Sequence, residues 1–168
     1  MFNTRTFFGT DGTLTVANAD SAMDAETLTS YLGQGNVVGR VVNVSVSVAT
    51  DVQAFHEMGW RLPRELRAGR IAIGGTIERA YVNGALLRLM LGQYATAEEA
   101  TGFTIPHFDL VVALDNQSPP GDPGNSSLTV YGVVFDRWRL DLPASDFTLE
   151  NVGFKAQRIG VADTEVPA

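Results

Sequence analysis

The sequence predicts a mainly β domain, a β-sandwich or open barrel with one or two short flanking α-helices. Two long segments carry the prediction. In the first, Val38, Val42, Val44, Val46 and Val48 share one parity while Asn43, Ser45 and Ser47 share the other. In the second, Ile71, Ile73 and Ile77 line one face, and Ala72, Gly74, Thr76 and Glu78 the other. Period-2 alternation marks a strand with one buried and one wet face. Helical spacing of apolar residues, by contrast, is confined to two short stretches.

The elements follow in chain order. Thr13–Val16, leaving the turn at Asp11-Gly12, reads as a short strand. Asp24 can cap a short helix over Ala25–Leu32, closed by Gly33 and Gly35. The first long strand spans about Val37–Met58, with a bend or bulge expected near Thr50-Asp51. Gly59 opens a loop, WRLPRELRAG, in which Pro63 interrupts pairing. The second long strand covers about Arg70–Val82. Asn83 then caps a helix over Gly84–Leu91 that turns Leu86, Leu87, Met90 and Leu91 to one side and ends at Gly92.

Gln93–Pro106 reads as a loop and His107–Asp115 as a strand with Phe108, Leu110, Val112 and Leu114 in phase. Three Pro and two Gly in Asn116–Ser126 mark a surface loop. Ser127–Leu140 follows as a strand with Leu128, Val130, Val134, Trp138 and Leu140 on one face. A last strand is expected over Phe147–Val161 with a bulge at Gly153, and a flexible tail from about residue 162.

A chain of 168 residues, 45% hydrophobic and 18% charged, is read as one domain over 1–168 with a real core. It has no cysteine, which removes disulfides and thiolate metal sites and suits a reducing compartment. No apolar run approaches the length of a membrane span and the first residues lack a secretory pattern, so no membrane partner is expected. A net charge of −7 disfavours nonspecific nucleic-acid binding by the whole surface.

Charge is segregated along the chain. Arg61, Arg64, Arg67 and Arg70 fall within ten residues, offset only by Glu65. From Leu89 to Asp136 there is no Lys or Arg, while Glu98, Glu99, Asp109, Asp115, Asp122 and Asp136 lie there. Such separation of sign suggests complementary patches that steer and register association.

Motifs for catalysis are lacking. The two histidines, His56 and His107, have no partner at motif spacing, and no nucleophile elbow, zincin helix or Walker loop occurs. GRIAIGGT has its glycines in a strand pattern, so close backbone approach at Gly74 and Gly75 explains them better than phosphate binding. Asp115, Asn116, Asp122 and Asn125 offer oxygens for calcium but without EF-hand spacing. No enzyme, cofactor or metal is expected. The Arg-rich loop reads as a solvated face, a nucleic-acid contact or a protein interface. The interface fits best, because Trp60 and arginine are residue types that concentrate binding energy.

The order GRVVNVSVSVATDVQAFHEMGWRLPRELRAG, GTIERAYVNGALLRLMLG, LTVYGVVFDRWRL and DFTLENVGFKAQRIG resembles phage tail tube proteins over about Gly39–Gly160. These are related to the tubes of contractile injection and type VI secretion systems. The resemblance implies a tail-tube-like β fold whose subunits form hexameric rings, stacked head to tail as a conduit for DNA ejection. It implies a location in the virion tail after assembly in the host cytoplasm. It also implies partners: the tape measure, a tail tip or baseplate, a terminator and a sheath, with DNA passing through unbound. On this reading Asn43, Ser45, Ser47, Thr76 and Glu78 line a neutral-to-negative lumen. A loop at about 59–69 bridges rings through Trp60, Arg61, Arg64 and Arg67, with Glu98 and Glu99 as their acidic partners. Two alternatives stay open: an effector-carrying inner tube of an injection or type VI-like system, and a monomeric β-sandwich binding module.

Overall fold

In the computed structural model, residues 6–18, 32, 34–92, 105–115 and 125–163 are described. Among the described residues there are seven strands and one α-helix: β1 (Gly12–Ala17), β2 (Val41–Phe55), β3 (Glu65–Ala80), α1 (Ala85–Leu91), β4 (Phe108–Asp115), β5 (Asn125–Asp141), β6 (Leu149–Ala156) and β7 (Arg158–Asp163). All neighbouring strands pair antiparallel, in the order β1-β4-β5-β6-β3-β2, with β7 also on β5. The mainly β class read from the alternation holds.

Strand β5 organises the sheet. Its first half, to Val133, pairs with β4, and Ser126–Tyr131 pair with β7 on the other side. Its second half, Val134–Asp141, pairs with β6. The break falls at Gly132, whose φ of +61° lies in the left-handed region and whose missing Cβ makes room for the Gln157 side chain. Gln157 separates β6 from β7 and donates its backbone N–H to Tyr131 O at 3.0 Å, so the expected single last strand is two. The sheet curls at this kink, and a half-barrel results.

The kink also resets the side-chain phase of β5. Val130, Val133 and Phe135 are buried, and a second irregularity at Asp136 brings Trp138 back to the core side. Val134, expected in phase with Val130, therefore faces away from the core. The bulge expected at Gly153 lies on the facing strand, at Asp136. Asp136 Oδ1 sits where a Cβ on Gly153 would come within 2.9 Å.

The core joins Leu14 and Val16 of β1, Phe108 and Leu110 of β4, Ile77 of β3 and Val152 and Phe154 of β6. Phe108 and Phe135 meet edge to face at 4.8 Å between centroids. Helix α1 packs on β5 and buries Ala85, Leu86 and Leu89 rather than the expected Leu87 and Leu91. Of the other expected helix, Ala25–Leu32, only Leu32 lies within the described residues, and it is buried.

Among the described residues, two charged side chains are buried with the apolar ones. Arg79 and Glu150 face each other across the β3–β6 pair and form an ion pair. Glu150 Oε2 also accepts from Trp138 Nε1 at 2.9 Å, and Arg79 Nη2 donates to Asn83 O at 2.9 Å. Asn83 Oδ1 accepts from the Ala85 N–H at the start of α1. The network thus ties three strands to the helix. No buried side-chain nitrogen or oxygen among the described residues lacks a partner, the condition under which buried charge is tolerated.

Candidate functional site: a polar sheet face and an uncovered arm

The two faces of the β5-β6-β3-β2 sheet differ sharply. Toward the core point Val44, Val46, Ile77, Val152 and Phe154, and the paired Arg79 and Glu150. On the opposite face, register pairs Asn43 with Glu78, Ser45 with Thr76 and Ser47 with Gly74. Asn43, Ser45 and Ser47 are exposed, Thr76 and Glu78 half-buried. All five residues read from the sequence as a polar set are contiguous on one face. Ser47 Oγ also donates across the strands to Gly74 O at 3.1 Å. Close approach explains the paired glycines, because a Cβ on Gly75 would lie 1.9 Å from Ser45 O.

Strands β6 and β5 widen this polar face. Continuing the register adds Asn151 and Lys155 from β6 and Arg137, Arg139 and Asp141 from β5, with Asp136 at the bulge. Lys155 lies 3.7 Å from Asp136, and Arg139 Nε donates to Asp141 Oδ1 at 2.9 Å. Glu78, Asp136 and Asp141 therefore stand against Arg137, Arg139 and Lys155. The described face is charge-balanced, at the neutral end of the range that β2 and β3 suggest.

Alternation in β2 is interrupted where the sequence gives no sign of it. Val42, counted with the apolar stripe, is an extra residue between the pairs Val41–Arg79 and Asn43–Glu78, and it is exposed. The irregularity expected near Thr50 is present: Asp51 faces both Gly69 and Arg70. A Cβ on Gly69 would meet Asp51 O at 2.6 Å, which accounts for glycine there.

Beyond that point β2 and β3 leave the core and continue as a two-stranded arm. The expected loop at 59–69 is shorter, because Glu65–Ala68 pair with Val52–Phe55 as part of β3. Charge from the arginines masks the Leu66/Ala68 alternation in the sequence. One arm face carries Val48, Val52, Leu66 and Ile71, continuous with the core-facing side of the strands, yet all four are more than half exposed. At the tip Met58, Trp60 and Leu62 are exposed as well. A two-stranded ribbon is marginal by itself, and an apolar face of this kind marks an interaction surface.

The arginines of the arm have different surroundings. The Arg64 guanidinium lies 4.5 Å from the Trp60 ring centroid and 3.2 Å from Glu57 Oε2. Arg67 Nε donates to Glu65 Oε1 at 2.9 Å. Arg61 has no ion-pair partner among the described residues. Glu98 and Glu99 lie outside the described residues, as does the 116–124 loop. Among the described residues no group of acidic or histidine side chains could hold a metal, and no helix is long and apolar enough to cross a membrane.

Two free edges complete the surface. Strand β2 pairs only with β3 along its length, and Val134–Asp141 of β5 pair only with β6 among the described residues. Two strands, β6 and β3, lie between these edges and every pairing is antiparallel, so the two edge strands run in opposite directions.

No family model matches the chain, and no curated protein matches it by sequence. Solved structures do match, and the fold they share with this chain is tail-tube-like. A chain of the sheath-tube complex of an extracellular contractile injection system, PVC, aligns with a TM-score of 0.63 at 9% identity, covering 96% of this chain and 94% of that one. A chain of the anti-feeding prophage tube-terminating cap aligns at 0.63 and 10% identity, covering 98% and 95%. The SPP1 tail tube aligns at 0.60 and 7% identity, covering 96% and 81%. The protein is tail-tube-like in fold, as its element order suggested.

Proposed function

We propose that this chain is the structural subunit of a phage tail tube, forming hexameric rings that stack into the conduit for DNA. The carrying observation is the four-stranded sheet with a polar face, an apolar face and two free edges of opposite direction. A rotated copy brings its β5 edge antiparallel to β2, and repetition closes a barrel in which no edge remains free. The core occupies the apolar side, so the polar face lines the lumen, with Asn43, Ser45, Ser47, Thr76 and Glu78 in the wall. The arm, with Trp60, Arg61, Arg64 and Arg67 at and near its tip, reaches the adjacent ring.

Such a wall suits a passing polyanion. Its bases stand beside carboxylates, so DNA meets no net positive surface on which counterion release would hold it. The similar solved structures include a sheath-tube complex and a tube-terminating cap, and comparable sheath, terminator, tip and tape-measure partners are expected here. A tube carrying effectors in an injection system is the second reading, favoured by the fit to the injection-system chains. Microscopy and sedimentation over a concentration series test the proposal. Rings and stacked tubes are expected; a protein that stays monomeric at every concentration and ionic strength would overturn it.

A further inference from the structure

Asparagine occurs eight times in the chain, and Asn83 alone precedes glycine. The dipeptide Asn83-Gly84 links β3 to α1, outside every strand ladder, and both residues are half-buried. Among the other described asparagines, Asn43, Asn125 and Asn151 lie within β2, β5 and β6, where strand pairing fixes the backbone. Asn18 and Asn36 precede alanine and valine, whose side chains crowd their own backbone nitrogens.

The Asn83 side chain is folded forward along the chain. Its Oδ1 accepts from the Ala85 N–H at 3.2 Å and from Arg79 Nη2 at 3.3 Å, and the same Nη2 donates to Asn83 O at 2.9 Å. Reaching the amide two residues ahead turns Cγ toward the intervening Gly84 nitrogen. Gly84 has no side chain to hinder that approach, and a Cβ built there would meet nothing within 4 Å beyond its chain neighbours. Two donors, one of them a buried cation, already face the oxygen on which charge develops when Cγ is attacked. We infer that Asn83 is a site of self-modification, deamidating within the folded chain with Arg79 and the Ala85 N–H holding the oxyanion.

The chemistry needs water alone. The Gly84 nitrogen loses its proton to hydroxide and bonds to Asn83 Cγ, closing a succinimide ring with the advantage of an intramolecular reaction. The tetrahedral oxyanion collapses, the Cγ–Nδ2 bond breaks, and ammonia leaves with a proton taken from water. Water then opens the succinimide at either carbonyl, leaving aspartate or isoaspartate at position 83. In sum, water is consumed, ammonia is released and nothing is oxidised. An aspartate there still accepts from the Ala85 N–H and gives Arg79 a second carboxylate beside Glu150, whereas an isoaspartate lengthens the main chain at the start of α1.

Peptide mass spectrometry of the purified protein held in mildly alkaline buffer tests the inference. Carboxamide-to-carboxylate conversion should appear at position 83 before the other seven asparagines, at a rate that rises with pH and matches ammonia release. Gly84 has a φ of −76°, open to any residue, so G84A should keep the fold by circular dichroism. It should slow conversion about tenfold or more, because a Cβ hinders the near-attack approach. The R79M/E150L double variant removes the guanidinium without stranding a carboxylate, and should convert several-fold more slowly than wild type. No conversion at position 83, earlier conversion at another asparagine, or a G84A protein as fast as wild type overturns the site. A folded R79M/E150L protein that keeps the wild-type rate overturns the part given to Arg79.

Discussion

Replacing Leu66 and Ile71 with serine should separate folding from assembly. In the single subunit these side chains are 65% and 66% exposed, so about a third of their burial is already realised. Full burial of a Leu or Ile side chain stabilises by about 1.5–3 kcal/mol. The unrealised two-thirds then amounts to roughly 1–2 kcal/mol per residue, and roughly 2–4 kcal/mol for the pair, at each inter-subunit contact. At 1.4 kcal/mol per factor of ten, the contact weakens about 30- to 700-fold, and every copy in a ring suffers the same loss. The subunit should keep its far-ultraviolet dichroism and nearly its full denaturant midpoint. Light scattering should show the onset of tube formation displaced to much higher concentration. A large fall in the denaturant midpoint would mean that the arm face is packed within its own subunit. Unchanged assembly would mean that nothing covers it, and either result refutes the reasoning.

Shortening the arm across residues 51–69 with a tight turn should leave a folded domain that no longer stacks, since closing a shorter loop costs little; sedimentation and dichroism on one sample separate the outcomes. Glu150→Ala, which strands Arg79 in the core without its carboxylate, should destabilise by about 3–5 kcal/mol in denaturant titration, whereas an Arg79→Met/Glu150→Leu double variant should recover most of that loss. Gly75→Ala should fold poorly, because its Cβ would sit 1.9 Å from Ser45 O, and amide exchange should report loosening of the β2–β3 pair. Ser45→Lys with Glu78→Lys should leave tubes intact but slow genome ejection, scored as particle count against infectivity, because a basic wall holds phosphate.

Much of the fold is legible in the sequence where alternation runs unbroken. The Asn43/Ser45/Ser47 and Thr76/Glu78 faces can be read because each strand keeps its parity across those residues. Parity counting fails wherever one extra residue enters a strand. Val42 and Asp136 are such residues, and Gly132 resets the phase by its backbone angle, so counting parity alone puts Val42 and Val134 on the wrong face. The Arg79–Glu150 pair joins residues 71 positions apart, and no local pattern announces it. In the sequence the arm reads as an arginine loop because charge is conspicuous. The decisive feature, an apolar face with nothing over it, depends on where the core ends, and no local pattern records that.

The closed barrel is tested most directly by a cryo-EM map of tubes assembled from the purified chain, at a resolution that traces strands. Four strands per copy should form a continuous antiparallel wall, with β2 of one copy hydrogen-bonded to Val134–Asp141 of its neighbour. Ser45, Thr76, Glu78, Arg137 and Lys155 should point into the channel. A ring in which these edges stay apart, or whose channel is lined by the Val44, Val46 and Ile77 face, would contradict it.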